Sequence, residues 1–304
     1  MPAADSARAA PAALGVRLAL PALLLGALAI GFSGIFVRLA EVGPIASAFY
    51  RVGFAVPMFA LWIALTPVPA PAPARRLGRR DYATLALAGV FFAGDLACWH
   101  WSLLLTTIAN STLLANFTPV LVTLAAWLLF GQTVTRRFLL GLATALLGAC
   151  VLMGSSVSLG GTHLLGDGLG LVTAVFYSGY LLTVARLRQR LPVAVVMGWS
   201  SAVTAVFLLP LALLAGDRVL ALTAGGWALL VLFAFVSQVA GQGLIAHALA
   251  HLPASFSSVG LLVQPVAAAL YAWVLLDEAL GPVQALGGAV VLAGIYLAHR
   301  ASRR

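Results

Sequence analysis

Ten stretches of this sequence, each close to twenty residues long and nearly free of charge, decide what the chain can fold into. They lie at about 18–37, 45–65, 82–103, 108–130, 137–154, 165–185, 193–214, 226–247, 255–276 and 281–298. Roughly 20 consecutive apolar residues are what an α-helix needs to cross the hydrocarbon core of a bilayer. The pattern therefore predicts an all-α polytopic membrane protein with ten transmembrane helices joined by short connections. Composition matters at this point for one reason: 62% apolar and 8% charged residues leave too little polar surface to coat a water-soluble fold.

The charges that remain report orientation. All 17 basic residues are Arg, and most sit between apolar runs rather than in a patch with aromatics, so the net charge of +9 is not a nucleic-acid footprint. With the N-terminus inside, 14 Arg fall on the inner face (residues 8, 17, 75, 76, 79, 80, 136, 137, 186, 188, 190, 300, 303 and 304). Only Arg38 and Arg218 fall outside, and Arg51 lies within the second run. That split follows the positive-inside rule and places both termini in the cytoplasm, as expected for a bacterial inner (plasma) membrane protein. The longest connection, Thr66 to Asp81, alternates Pro67, Pro69, Pro71 and Pro73 before four Arg, and reads as a polar linker because so many prolines cannot hold helical hydrogen bonds. The first run has some features of a cleaved leader, with Arg17 ahead of it and Ala27-Leu28-Ala29 inside it; the repeat described next needs it as a helix.

Laid over itself at an offset of 146, the sequence matches without gaps: Leu113–Gln132 lies over Val259–Glu278, pairing Pro119 with Pro265 and Trp127 with Trp273. Gly141 pairs with Gly287 and Gly148 with Gly294, among 12 identities in 43 pairs starting at Thr107 and Pro253. Near the front, Ser33-Gly34 matches Ser178-Gly179 at an offset of 145, tying the first run to the sixth. Paired Pro, Trp and Gly at fixed spacing mark a duplication, which shared Leu and Ala would not. Five helices per copy is an odd number, so the second copy enters the membrane from the opposite side. The division expected is a tail at 1–17, a first repeat at 18–154, a connecting loop at 155–164, a second repeat at 165–298 and a basic tail at 299–304. Gly141, Ala145 and Gly148, with Gly287 and Gly294, put small residues on one helical face for close packing.

The two copies, TTIANSTLLANFTPVLVTLAAWLLFGQTVTRRFLLGLATALLGACVLMG and LPASFSSVGLLVQPVAAALYAWVLLDEALGPVQALGGAVVLAGIYLA, resemble the repeat ends of the EamA type of the drug/metabolite transporter superfamily. That pattern reads Pro-Val, then Trp-Leu-Leu-x-Gly-Glu, then spaced glycines. The resemblance implies a ten-helix inverted-repeat fold and movement of amino acids, nucleobases, sugars or other metabolites, commonly with the proton gradient. The first copy departs from it, with Gln132 where the second keeps Glu278, so an acid at both repeat ends is not available.

An ionisable group inside a bilayer costs at least ~2.5–3.5 kcal/mol on insertion scales and needs a reason. Asp95 lies ~20 Å along the third helix and Arg51 ~9 Å deep from the outer side, at nearly matching depth by the 1.5 Å rise. Both are expected in the bundle interior, either paired with each other or in contact with a charged substrate; snorkelling to the interface is the other reading of Arg51. Thr112, Asn116, Pro119 and Thr123 share one face of the fourth helix, and Pro119 cannot donate to the Ala115 carbonyl, which leaves an acceptor open to a ligand. Interhelical hydrogen bonding explains the Thr residues equally well. Gln238 and Gln242 share a face of the eighth helix, and Gln264 precedes Pro265 in the ninth. His100, between Trp99 and Trp101, reads first as part of an interfacial aromatic belt and second as a proton relay to Asp95. Tyr177 and Tyr180 could line a cavity but read first as core or interface packing, and Glu41, Asp167, Asp217 and Arg218 as solvated loop residues.

The expectation is a secondary active transporter, an exporter of a small metabolite such as an amino acid, working by alternating access with proton coupling. Its partners are a small-molecule substrate, protons and the lipid bilayer, with oligomeric state open. There is no G-x-x-x-x-G-K-[ST] loop for ATP, and Cys98 and Cys150 sit singly in apolar runs, so neither a cofactor nor a metal is expected. The alternatives are a membrane-embedded enzyme acting on a lipid-linked substrate, for which Asp95 alone supplies too few acids, and a passive channel.

Overall fold

A computed structural model describes residues 3–66, 77–106, 108–154, 164–277 and 280–302, with side chains from residue 15 onward except 108–110, 130, 154 and 276. The proline-rich stretch at 67–76, the loop at 155–163, Glu278 and the last two arginines lie outside the described residues. Within them the chain is helical, and ten helices are long and apolar enough to cross a membrane. These are span 1 (Gly15–Leu39), span 2 (Pro44–Leu65), span 3 (Arg79–Leu105), span 4 (Ser111–Leu129), span 5 (Arg136–Met153), span 6 (Leu164–Arg188), span 7 (Val193–Leu214), span 8 (Ala224–Ala248), span 9 (Ala254–Leu275) and span 10 (Pro282–Ser302).

Packing follows a two-fold relation between the halves. Span 3 lies along span 6, and its counterpart span 8 lies along span 1; spans 2 and 7, 4 and 9, and 5 and 10 each meet their own repeat mate. The contact between spans 5 and 10 is the most extensive and is made backbone to backbone. A Cβ added to Gly141, Gly148, Gly287 or Gly294 would fall within 3.0 Å of main-chain atoms of the facing helix: Ala298, Val291, Leu152 and Ala145 respectively. Lipid tails are as apolar as leucine, so dispersion at close range is what holds such helices together. The four repeat-matched glycines make that closeness possible.

Five irregularities interrupt the ten spans, two of them beside Pro119 and Pro265, the prolines expected to break their helices. Span 1 breaks at Phe32, span 2 at Phe54, span 4 at Asn116–Phe117 and span 9 at Leu261–Leu262. In span 2 the cause is Pro57, which cannot donate to Gly53 four residues back. The breaks in spans 4 and 9 sit just ahead of Pro119 and Pro265 and correspond within one residue across the repeat. The fifth irregularity is a π-helical segment, Ala234–Gln242, inside span 8.

Glu41, Asp217 and Asp167 were expected to be merely solvated; each makes a defined contact instead. Glu41 accepts from the Leu222 and Thr223 amides at 2.7 and 2.9 Å and from the Thr223 hydroxyl at 2.6 Å. Asp217 accepts from Ala46 N at 2.8 Å, near the start of span 2, and Gly43 N donates to Arg218 O at 2.9 Å. The turn between spans 1 and 2 is thereby tied to the connection between spans 7 and 8. Asp167 accepts from the Thr106 hydroxyl at 2.7 Å, joining the ends of spans 3 and 6.

Two outcomes are expected. Gly148→Ala and Gly294→Ala each destabilise the bundle by about 1–3 kcal/mol through overpacking, read as a lower unfolding temperature in detergent, whereas Gly168→Ala, with open space around it, leaves that temperature unchanged. The Thr223 hydroxyl and the two amides favour the charged form of Glu41 and lower its pKa. The tie at Leu222 and Thr223 should therefore hold at neutral pH and loosen as pH falls through that lowered value, measured as faster amide exchange of those two residues in acid than the intrinsic rate predicts.

Candidate functional site

Arg51, in span 2, is 6% exposed. Its guanidinium lies between two aromatic rings, 5.6 Å from the Phe92 centroid and 5.6 Å from that of Phe233. Arg51 Nε donates to Gln238 Oε1 at 3.3 Å, and Gln238 Nε2 donates to the Ser201 hydroxyl at 3.0 Å. Spans 2, 7 and 8 are thus joined through one buried glutamine. A snorkelling arginine would reach for the interface, and this one is clamped inward. Its terminal amino groups make no hydrogen bond to the described residues.

Asp95, in span 3, is 8% exposed and lies in the same interior, near Arg51, Tyr177, Tyr180 and Cys98. Both charges lie in the interior, and the partner hydrogen-bonded to Arg51 is Gln238, with Asp95 nearby on span 3.

Span 6 connects this pair to the broken helices. Tyr180 stacks on Phe92 at 4.5 Å and its hydroxyl approaches the Met197 sulfur at 3.7 Å. Tyr177, only half-buried, lies near the side chains of Gln242 and Gln264. Ser178 donates to Thr118 O in span 4 at 3.3 Å. Tyr180 is thus packed in the core, as expected, while Tyr177 is the more exposed of the two.

Polar atoms buried without a hydrogen-bond partner collect on spans 4 and 9: Ser111 Oγ, Asn116 Nδ2, Thr123 Oγ1, Ser257 Oγ and Gln264 Nε2. Each such group costs about 1–3 kcal/mol unless water or a ligand satisfies it. Ser111 and Ser257 are repeat mates at the offset of 146. Sequence reasoning passed over them because the weight was placed on Pro, Trp and Gly, although this pair was among the same identities.

Two expectations are corrected here. The Ala115 carbonyl that Pro119 cannot reach is not open, because the Thr118 hydroxyl donates to it at 2.8 Å. In span 9 Gln264 N likewise donates to Leu261 O at 2.9 Å, the acceptor Pro265 leaves. The prolines make the breaks, and the polar atoms left unpaired beside them belong to side chains. His100 is not part of an interfacial belt: it is 2% exposed, its Nδ1 lies 2.6 Å from Leu96 O, and its Nε2 is buried and unpaired.

The interior thus gathers Arg51, Asp95, Gln238, Gln242 and Gln264, with Asn116 on the broken span 4. The signal for Phe92, Phe233 and Ser201 was absent from sequence, since nothing distinguishes them from other residues of apolar runs.

A family model described as the EamA-like transporter family matches residues 17–154 and again residues 164–300. The chain is 25% identical over 231 residues to the Pseudopaline exporter CntI of Pseudomonas aeruginosa, covering 75% of this chain and 78% of that one. It is 25% identical over 271 residues to an uncharacterized transporter of Archaeoglobus fulgidus, covering 87% and 91% of the two chains. A solved structure described as a crystal structure of a protein has a TM-score of 0.75 and 18% identity over 95% of this chain and 99% of its own, a likeness of fold.

Gln238→Leu removes the Nε partner of a buried guanidinium and the donor to Ser201, so it should lower stability by about 1–3 kcal/mol. Ser201→Ala should cost less, because the glutamine keeps Arg51. Unfolding of the purified variants in detergent measures both.

Proposed function

The chain belongs to the EamA-like transporter family, and from that premise we propose that it is a secondary active exporter of a small zwitterionic metabolite, an amino acid or a related compound, driven by protons. One observation carries the reading: a buried arginine, fixed by its Nε and two rings, keeps its terminal donors unspent beside the buried carboxyl of Asp95. A guanidinium with two parallel N–H groups free is matched to a carboxylate, and Asp95 is placed to receive an ammonium group or a proton. The unpaired amide donors of Asn116 and Gln264 and the hydroxyl of Tyr177 would orient the rest of the molecule.

Transport follows from the architecture. Two inverted halves that meet at their own repeat mates can rock about that line and expose one interior site to either side in turn. In this reading Asp95 carries a proton when no substrate amine is present, so proton entry and substrate exit alternate on one carboxyl. His100, close enough for Arg51 to act on it, would hand the proton toward Asp95 through its unpaired Nε2. A 100 mV potential supplies about 2.3 kcal/mol per proton, a concentration ratio of roughly fifty. The expected setting is a bacterial inner membrane with both termini cytoplasmic. The Pseudomonas relative named as an exporter supports the direction.

Cells with and without the protein, challenged with a panel of amino acids and amino-acid derivatives, should differ in tolerance to a subset. Proteoliposomes loaded with a labelled member of that subset should then show saturable transport that runs uphill only under a pH gradient. Asp95→Asn is expected to retain exchange and lose uphill transport, and Arg51→Lys to raise the half-saturation concentration at least tenfold. Gradient-independent, non-saturating flux would overturn the reading in favour of a channel.

A further inference from the structure

Where spans 5 and 10 end together, on the arginine-rich side of the bundle, the structure holds a cleft unrelated to the interior site. It has a volume of about 310 Å³ and is lined by Arg137, Leu140, Leu297, Arg300 and Ala301. Arg137 is the second residue of span 5 and Arg300 lies two residues before the end of span 10, so one cation comes from each half of the repeat. Leu140 and Leu297 stand one turn deeper on their helices, about 4.5 Å further into the membrane, and both are exposed. The cleft is therefore cationic at its rim and apolar below, at the level where a helix passes from headgroups to hydrocarbon.

Its charge is unanswered by protein. Neither arginine meets a carboxylate within ion-pairing distance among the described residues, and Arg300 instead rests over the exposed ring of Tyr296, 5.8 Å from its centroid. Arg136 adds a further cation beside Arg137. Guanidinium groups converging from two helices suit the oxygens of a phosphodiester, and basic pockets between helices at the membrane surface are where anionic lipid headgroups lodge.

We propose that this cleft binds the headgroup of an anionic phospholipid, its phosphate held between Arg137 and Arg300 and an acyl chain lying over Leu140 and Leu297. The lipid then bridges the two halves at one end of the glycine-packed pair of helices. Free phosphate shares the headgroup's chemistry and lacks the chain, so the two are separable by experiment.

The test uses the full chain in a non-ionic detergent, with dioleoylphosphatidylglycerol, dioleoylphosphatidylcholine and inorganic phosphate as probes, read by thermal unfolding and by native mass spectrometry. Phosphatidylglycerol should raise the unfolding temperature of the wild type by about 4 °C or more and stay bound in the spectrometer, while the other two should do neither. Arg137→Gln/Arg300→Gln should abolish the shift. Arg79→Gln/Arg80→Gln, which loses the same charge elsewhere on that side, should keep it. If the glutamine pair does not fold, each single variant is expected to lose at least half the shift. A shift that survives in the cleft variant, or one that phosphatidylcholine reproduces, overturns the proposal, and a full shift with inorganic phosphate replaces the lipid with a free anion.

Discussion

A backbone amide or carbonyl left without a partner inside a bilayer costs several kcal/mol, and every irregularity of this fold is shaped by that cost. Proline in spans 4 and 9 removes a donor from the middle of the membrane in both halves. The structure does not leave the acceptor exposed: the Thr118 hydroxyl takes it in one half and a tightened backbone turn at Gln264 takes it in the other. Each helix therefore changes direction at its break without leaving that carbonyl unpaired in the bilayer. What the break then presents to the interior is side chains, and Asn116 and Gln264 are the ones whose amide donors remain unpaired. The kink and the polar interior are two results of the same residue.

The same economy explains how a charge survives at Arg51. Desolvation opposes any buried guanidinium, and here weaker effects offset it together: one hydrogen bond and two aromatic faces. Cation–π contacts are worth about 2 kcal/mol or more when desolvated, comparable with the hydrogen bond to a charged group. None alone would hold it. Distributing the stabilisation leaves part of the guanidinium uncommitted, which a full salt bridge with Asp95 would not.

How much of this was legible depends on whether a residue's meaning is local. Bilayer-length runs and their bordering arginines are local, and the ten spans could be read from them. The repeat was legible through Pro119, Trp127 and the glycines, whose mates sit at one fixed spacing, and the glycines indeed meet across spans 5 and 10. The depths of Arg51 and Asp95 followed from helical rise alone. Nothing in the linear sequence, however, says that Phe233 closes over Arg51 from 182 residues away or that Ser201 supports Gln238. His100 was misread for a related reason: a histidine between two tryptophans looks like an interface, and only packing reveals that it is enclosed.

The duplication also bears on the asymmetry of the site. The offset between the halves is 145 at Ser33 and Ser178 and again at the starts of spans 3 and 8, Arg79 and Ala224, but 146 from Thr107 onward. One extra residue thus enters the second half between the start of span 8 and the break of span 9. A π-helical turn is how an α-helix absorbs a single added residue, and span 8 is π-helical from Ala234 to Gln242 while span 3 is α-helical throughout. The segment carries Ser237, Gln238 and Gln242, bonded respectively to Ser33, bonded to Arg51 and near Tyr177. Span 3 offers Phe92 and Asp95 in the corresponding stretch. Two copies of one helix therefore each supply a ring beside Arg51, with an acid from one and amide groups from the other. A two-fold fold can in this way enclose an interior whose two sides differ chemically.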